Sequence, residues 1–198
     1  MRAPIPTSVP TPEVRPAEPG DAAAIAAVHL AAWRAAYGHV FPGDALRDVS
    51  AAEREGAWRR TIGGAAPRRR VLVAGPPGGA PRGFAVWGPT RDADGDPATT
   101  AELYSLYVHP GAWGSGLGRV LLARGTALAR ADGFTRATLW VVADNARARR
   151  VYAAAGWTAD GAGRSEEVLG ARVPEVRYAR PLDGGGRDAT EEDGAAAG

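Results

Sequence analysis

Three glycines set two residues apart, Gly114, Gly116 and Gly118, run into an apolar stripe of helical period at Leu117, Leu121 and Leu128. Without a Cβ the backbone there can curl tightly and aim several N–H groups at one point where a helix begins. That arrangement binds an anion, typically a phosphate. The pattern is not a Walker A loop: no Lys-Ser or Lys-Thr pair follows, and all 24 basic residues are arginine. It is not a dinucleotide fingerprint either, which follows the first strand of a βαβ unit with an acidic residue about 20 positions on. In a chain with 27 glycines a plain strand-to-helix turn is the competing reading. Two further placements bear on chemistry. Asn145 and Tyr152 lie two helical turns apart, about 10 Å along nearly one face, so both can line one side of a long thin ligand. Glu102 opens an apolar strand, where partial burial would raise its pKa toward a range useful to a base.

The segments carrying these residues are ELYSLYV (102–108), HPGAWGSGLGRVLL (109–122) and ATLWVVADNARARRVYAAAGW (137–157). In that order they resemble the acetyl-CoA-binding core of the GNAT superfamily of N-acetyltransferases. The resemblance covers residues 13–182 and is strongest over 101–157. The family's pyrophosphate loop reads Arg/Gln-x-x-Gly-x-Gly/Ala, and Trp113, Gly116 and Gly118 occupy its three fixed places. Trp113 departs from the usual Arg or Gln. The resemblance implies that main-chain donors of Gly114, Ser115, Gly116, Leu117 and Gly118 hold the pyrophosphate, with Arg119 as a source of positive charge. It also implies that Leu106, Tyr107 and Val108 pair through their main chain with the pantetheine amides, where the central strand splays. Asn145 would meet the pantetheine arm, and Tyr152 would sit beside the thioester sulfur.

Acetyl transfer to an amine needs a proton removed from the amine, an oxyanion stabilised and a leaving thiolate protonated. No covalent nucleophile is required, so the absence of cysteine does not count against it. Tyr152 is the candidate acid, against the alternative of a core tyrosine. Glu102 is the candidate base, directly or through water, against an exposed edge carboxylate. His29 and His109 are rivals, the first read as a surface or packing residue and the second as part of the turn before Pro110. The family's first two helices cover the acceptor, which makes Trp33, Tyr37 and Trp87 candidate walls of an aromatic site for an amine; Trp58 reads as core. Whether Tyr104 or Tyr107 faces the acceptor is left open. One of Arg147, Arg149 and Arg150 could reach the 3′-phosphate, while Arg68–Arg70 reads as a solvated run. The Asp92, Asp94, Gly95, Asp96 stretch lacks the distal Glu of a calcium loop and reads as solvated. No metal is expected.

The elements that must position these residues can be placed from pattern. A strand over Val14–Ala17 precedes a helix capped by Asp21, with Ile25, Val28, Leu30 and Trp33 as its stripe and Gly38 as its stop. A second helix spans Ala51–Ile62 and ends at Gly63-Gly64. Strands Arg70–Ala74 and Gly83–Trp87 form a hairpin, and Ala101–Val108 is the central strand. Helix Gly118–Ala131, strand Ala137–Val142 and a helix capped by Asp144 or Asn145 follow. Trp157–Thr158 and Glu175–Arg180 close the sheet, with an irregular connection between them. The fold class is α/β of the α+β type: a mixed, mostly antiparallel sheet of about six to seven strands flanked by about four helices, splayed at the central strand.

A chain of 198 residues, 45% hydrophobic and 23% charged, suits one globular domain. Residues 1–12 read as an unstructured lead-in, 13–182 as the domain and 183–198 as a flexible acidic tail. The net charge of +2 divides into −4 for that tail and +6 for the rest. A basic cleft for a multiply phosphorylated cofactor accounts for this, and no interleaving of aromatic and basic residues supports nucleic acid. No apolar run approaches a membrane span or a signal-peptide core, so a cytoplasmic location is expected. The expected activity is direct acetyl transfer from acetyl-CoA to a primary amine of a small molecule, peptide or protein. A non-catalytic acyl-CoA sensor is the alternative. Homodimers are common in the family, and no feature of this sequence decides the matter.

Overall fold

The computed structural model describes residues 12–37, 50–64, 66–168 and 170–182. The expected lead-in, the stop at Gly38 and the acidic tail lie outside the described residues. In chain order the elements are β1 (Glu13–Pro16), a 3-10 turn (Pro19–Asp21), α1 (Ala22–Tyr37), α2 (Ala51–Gly63), β2 (Arg70–Gly75), β3 (Gly83–Pro89) and β4 (Thr100–Val108). There follow a 3-10 turn (Pro110–Ala112), α3 (Leu117–Ala131), β5 (Arg136–Val142), α4 (Ala146–Ala154), β6 (Thr158–Val168) and β7 (Ala171–Pro181).

The strands form one sheet in the order β1-β2-β3-β4-β5-β7-β6. β4 and β5 are parallel, and every other neighbouring pair is antiparallel. A parallel pair needs a crossover, and α3 supplies it. The parallel pairing runs only from Thr100↔Arg136 to Leu103↔Leu139. Beyond it β5 stays paired with β7 as far as Val142↔Glu175, whereas β4 continues to Val108 beside β3 alone. The sheet therefore parts after Leu103, as the resemblance implied. Burial records the parting: Thr100–Leu103 are buried and Tyr104–Val108 half-buried.

Period-two alternation sends the strands' side chains into two cores. In β3, Phe84 and Val86 join Ile25, Val28 and Trp58 under α1 and α2. Ala85 and Trp87 join Leu121, Leu139, Tyr152 and Trp157 on the α3 side. Gly125 makes that second packing possible, because a Cβ there would lie 2.0 Å from Trp87 Nε1.

Several expectations are corrected. Asp21 does not cap α1 with its side chain: its carboxylate accepts from the Arg15 guanidinium at 2.7 and 2.9 Å and from the Glu18 N–H at 2.8 Å. The segment read as an irregular connection is the long β6–β7 hairpin. Pro174 fits there because it lies one residue beyond the last β5 partner of β7, where no ladder donor is needed. Arg68 and Arg70 are not simply solvated. Arg68 donates to the Ala98 and Asp132 carbonyls, and Arg70 pairs with the Asp132 side chain.

Candidate active site

The parting of β4 from β5 leaves one edge of β4 without a strand. The register of β3 on β4 passes from Val86↔Ser105 to Trp87↔Leu103, so Tyr104 is an extra residue, a β-bulge. The bulge shifts the phase of alternation. Ala101, Leu103, Leu106 and Val108 all face the α3 side, and Tyr104 and Tyr107 both face α1 and α2. Both tyrosines thus share the face left open between them by sequence. The main chain alternates too. The His109 N–H donates to the Arg82 carbonyl across β3, which directs the polar groups of Tyr107 the same way and those of Leu106 and Val108 toward the open edge. Of the three residues expected to pair with pantetheine, Tyr107 is therefore excluded as a main-chain partner on that edge.

At the end of this edge lies the glycine turn. Gly114 and Gly116 both sit at φ +84°, in the left-handed region. Gly118 does not, and a Cβ there would make only an ordinary contact with Val108 at 3.7 Å. Ser115 is occupied locally, its N–H and hydroxyl both donating to the Ala112 carbonyl at 3.3 and 2.6 Å. The donors that the turn offers are those at the start of α3, where Leu117 and Gly118 have no preceding helical turn to take their N–H groups. Arg119 is exposed beside them. The Trp113 indole N–H donates to the Val108 carbonyl at 2.9 Å, and the Arg147 guanidinium lies 4.3 Å from the indole centroid.

Across the opening stands α4. Asn145 caps it, its Oδ1 accepting from the Ala148 N–H at 3.0 Å, so this oxygen serves the helix before any ligand. Tyr152 is 7% exposed, with its ring 6.4 Å from Trp157 and 6.2 Å from Tyr178. Arg149 donates to the Ala143 carbonyl and the Tyr178 hydroxyl, which leaves Arg147 and the exposed Arg150 as the cluster's outward members.

On the α1/α2 face the aromatic residues form a nest. His29 lies 4.9 Å from Trp33, 5.7 Å from Trp58, 5.8 Å from Phe84 and 4.8 Å from Tyr107, measured between ring centroids. The Trp33 indole N–H donates to the Tyr107 hydroxyl at 2.8 Å. Trp58 is core, as expected, and Trp33 belongs to the nest. Trp87 does not, because β3 alternation sends it to the other face. The Tyr37 side chain lies outside the described residues. His29 is 9% exposed and its Nδ1 is unpartnered; burial, helped by the Arg54 charge, pushes its pKa down to about 4. His109 is structural, its Nδ1 accepting from the Gly111 N–H at 3.1 Å.

Glu102 is neither exposed nor partly buried: it is 1% accessible. Its carboxylate accepts from the Arg91 main-chain N–H at 2.8 Å and from the same residue's guanidinium, which also lies 4.0 Å from the Tyr104 ring centroid. Arg91 had no signal beyond its place in a polar loop. His29 had one: it precedes Trp33 by four residues, the spacing of helix neighbours. Among the described residues no group of three His, Cys, Asp or Glu side chains could hold a metal ion.

Comparison with known proteins agrees with this geometry. The model of the GNAT acetyltransferase family matches residues 30–157. The uncharacterized N-acetyltransferase YuaI of Bacillus subtilis is 34% identical over 133 residues, 67% of this chain and 72% of that protein. Mycothiol acetyltransferase of Beutenbergia cavernae is 49% identical over 61 residues, 31% of this chain but 20% of the larger protein. The structure of yncA from Salmonella typhimurium, solved with its cofactor acetyl-CoA, is similar at a TM-score of 0.65 and 27% identity, covering 94% of this chain and 99% of that one. The parted strands, the left-handed glycine turn and these matches together show that the chain belongs to the GNAT family of acetyltransferases.

Proposed function

We propose that this acetyltransferase moves the acetyl group of acetyl-CoA directly to a primary amine of a small molecule or peptide. The observation that carries the reading is the parting of β4 from β5 after Leu103, which leaves the polar main-chain groups of Leu106 and Val108 facing a gap that ends at the glycine turn. The yncA structure with acetyl-CoA supports the same cofactor here. In this reading the pantetheine amides pair with Leu106 and Val108, and the pyrophosphate meets the N–H groups at the start of α3.

The amine nitrogen attacks the thioester carbonyl carbon, forming the C–N bond as the carbonyl π electrons move to oxygen. Collapse of that intermediate breaks the C–S bond. The nitrogen's proton passes to a base, and the thiolate takes one from an acid, giving amide and free CoA. Tyr152 is the proposed acid. Its burial beside Trp157 and Tyr178 keeps water from competing for the proton. Glu102 is the proposed base, acting through water once Arg91 yields the carboxylate; the Arg91 side chain is 59% exposed and so has solvent to move into. The acceptor lies on the α1/α2 face, against Trp33, Tyr107 and Tyr104.

The test is release of CoA thiol from acetyl-CoA over a panel of amines. The reading predicts amine-dependent release, with Tyr152→Phe lowering kcat by about 100-fold or more while acetyl-CoA affinity changes little. An unchanged kcat would remove Tyr152 as the acid. Saturable cofactor binding with no amine-dependent release would favour an acyl-CoA sensor.

A further inference from the structure

Trp113 is the one large hydrophobic residue exposed among the described residues, at 36%. It stands where the family pattern has a side chain of another kind, and it spans the mouth of the opening. From the C-terminal end of β4 its indole N–H reaches the Val108 carbonyl at 2.9 Å. From the far side, the first turn of α4, Arg147 covers the ring at 4.3 Å. Val108 is the last residue of β4. The alternation set by the His109–Arg82 bond turns its carbonyl to the open edge. The indole therefore occupies the acceptor that a pantetheine amide would need.

We propose that Trp113 is a competitive latch on the cofactor edge. Its indole N–H and a pantetheine amide N–H exchange at the same Val108 carbonyl, so the residue sets affinity by what it must release. The inference rests on the cofactor reading above. Two features distinguish a latch from incidental surface packing. The bond is made to the open-edge carbonyl rather than to one already used by β3, and the cation over the ring holds the indole in place from the opposite wall. Gly114 aids it, since φ +84° turns the chain sharply just after Trp113. No covalent step is involved, and one N–H···O bond replaces another.

Trp113→Phe isolates the bonded atom: the ring that Arg147 covers is kept and the N–H is lost. Binding of acetyl-CoA and of adenosine 3′-phosphate 5′-diphosphate, which has the three phosphates of CoA but no pantetheine, is measured calorimetrically for wild type and variant. A neutral hydrogen bond of ordinary net strength corresponds to about five-fold in affinity. Acetyl-CoA is expected to bind about five-fold more tightly to Trp113→Phe, with binding of the pantetheine-free nucleotide the same for both proteins. Equal or weaker acetyl-CoA binding by the variant overturns the latch, as does an equal gain for both ligands, which would place the indole in the way of the phosphates. If wild type binds no acetyl-CoA, the cofactor reading falls and the latch with it. If wild type binds and the variant gains nothing, the latch alone falls.

Discussion

His29 is held as a neutral imidazole inside an aromatic nest, and this ties stability to pH. Its folded pKa of about 4 lies below the ordinary 6.5 because burial disfavours the charged ring. The unfolded chain then binds a proton that the folded chain does not. The contribution is complete above pH about 6.5 and is lost as pH falls through the interval to about 4, by at most ~3 kcal/mol. Urea unfolding at pH 7 and pH 4.5 should show that loss in wild type, and His29→Leu should flatten the slope whatever its absolute stability. An unaltered slope would mean that other groups carry it. Residue chemistry was only partly legible in advance. Gly116 and Asn145 could be placed because glycine at φ > 0 and a side-chain oxygen at a helix start are local requirements. Glu102 could not, because its state depends on Arg91, eleven residues away across a turn, and no local pattern encodes that partner.

Among the elements, β4 has the most consequence. One bulged residue, Tyr104, lets a single strand fill the α3-side core at both ends while presenting two tyrosines to the α1/α2 face. The parallel pairing with β5 is what α3 makes available, and its early end creates the opening. Helix α3 is in turn seated by Gly125. A methyl group at that position would lie 2.0 Å from Trp87 Nε1 and 2.4 Å from its Cε2. Gly125→Ala should therefore destabilise the protein by about 1–3 kcal/mol through overpacking, although alanine favours helix more than glycine does. Chemical denaturation measures it, and a stabilised variant would show that Trp87 has room to move. The strands β2 to β5 were legible because they are apolar runs buried on one or both faces. The β6–β7 hairpin was legible only at its ends, Thr158 and Glu175–Arg180: between them glycines, a proline and alternating charges are tolerated in strands with a free edge, and those residues read as a loop.

At the scale of the whole molecule, charge ties distant parts of the chain together. Arg177 of β7, 9% exposed, donates to Asp92 at 3.1 Å, Asp94 at 2.7 Å and Asp160 at 2.8 Å. The Trp140 indole N–H also reaches Asp92, at 2.9 Å. The loop between β3 and β4, expected to be solvated, is thereby pinned to β5, β6 and β7, and with it Arg91 and the carboxylate of Glu102. The stretch that looked like a poor calcium loop is an arginine socket, and only the fold brings its arginine to it from 83 residues away. The parted edge of β4, the left-handed turn at Gly114 and Gly116 and the aromatic nest around His29 and Tyr107 meet at the end of β4, and acetyl-CoA is proposed to lie along the first two. Calorimetric titration of acetyl-CoA into wild type and Gly116→Val tests that placement. A Cβ at Gly116 would meet nothing within 4 Å, so this substitution acts through its φ of +84° rather than through a clash. Saturable one-to-one binding by wild type is expected, weakened about ten-fold or more in the variant. Equal affinities, or no binding by wild type, would contradict it.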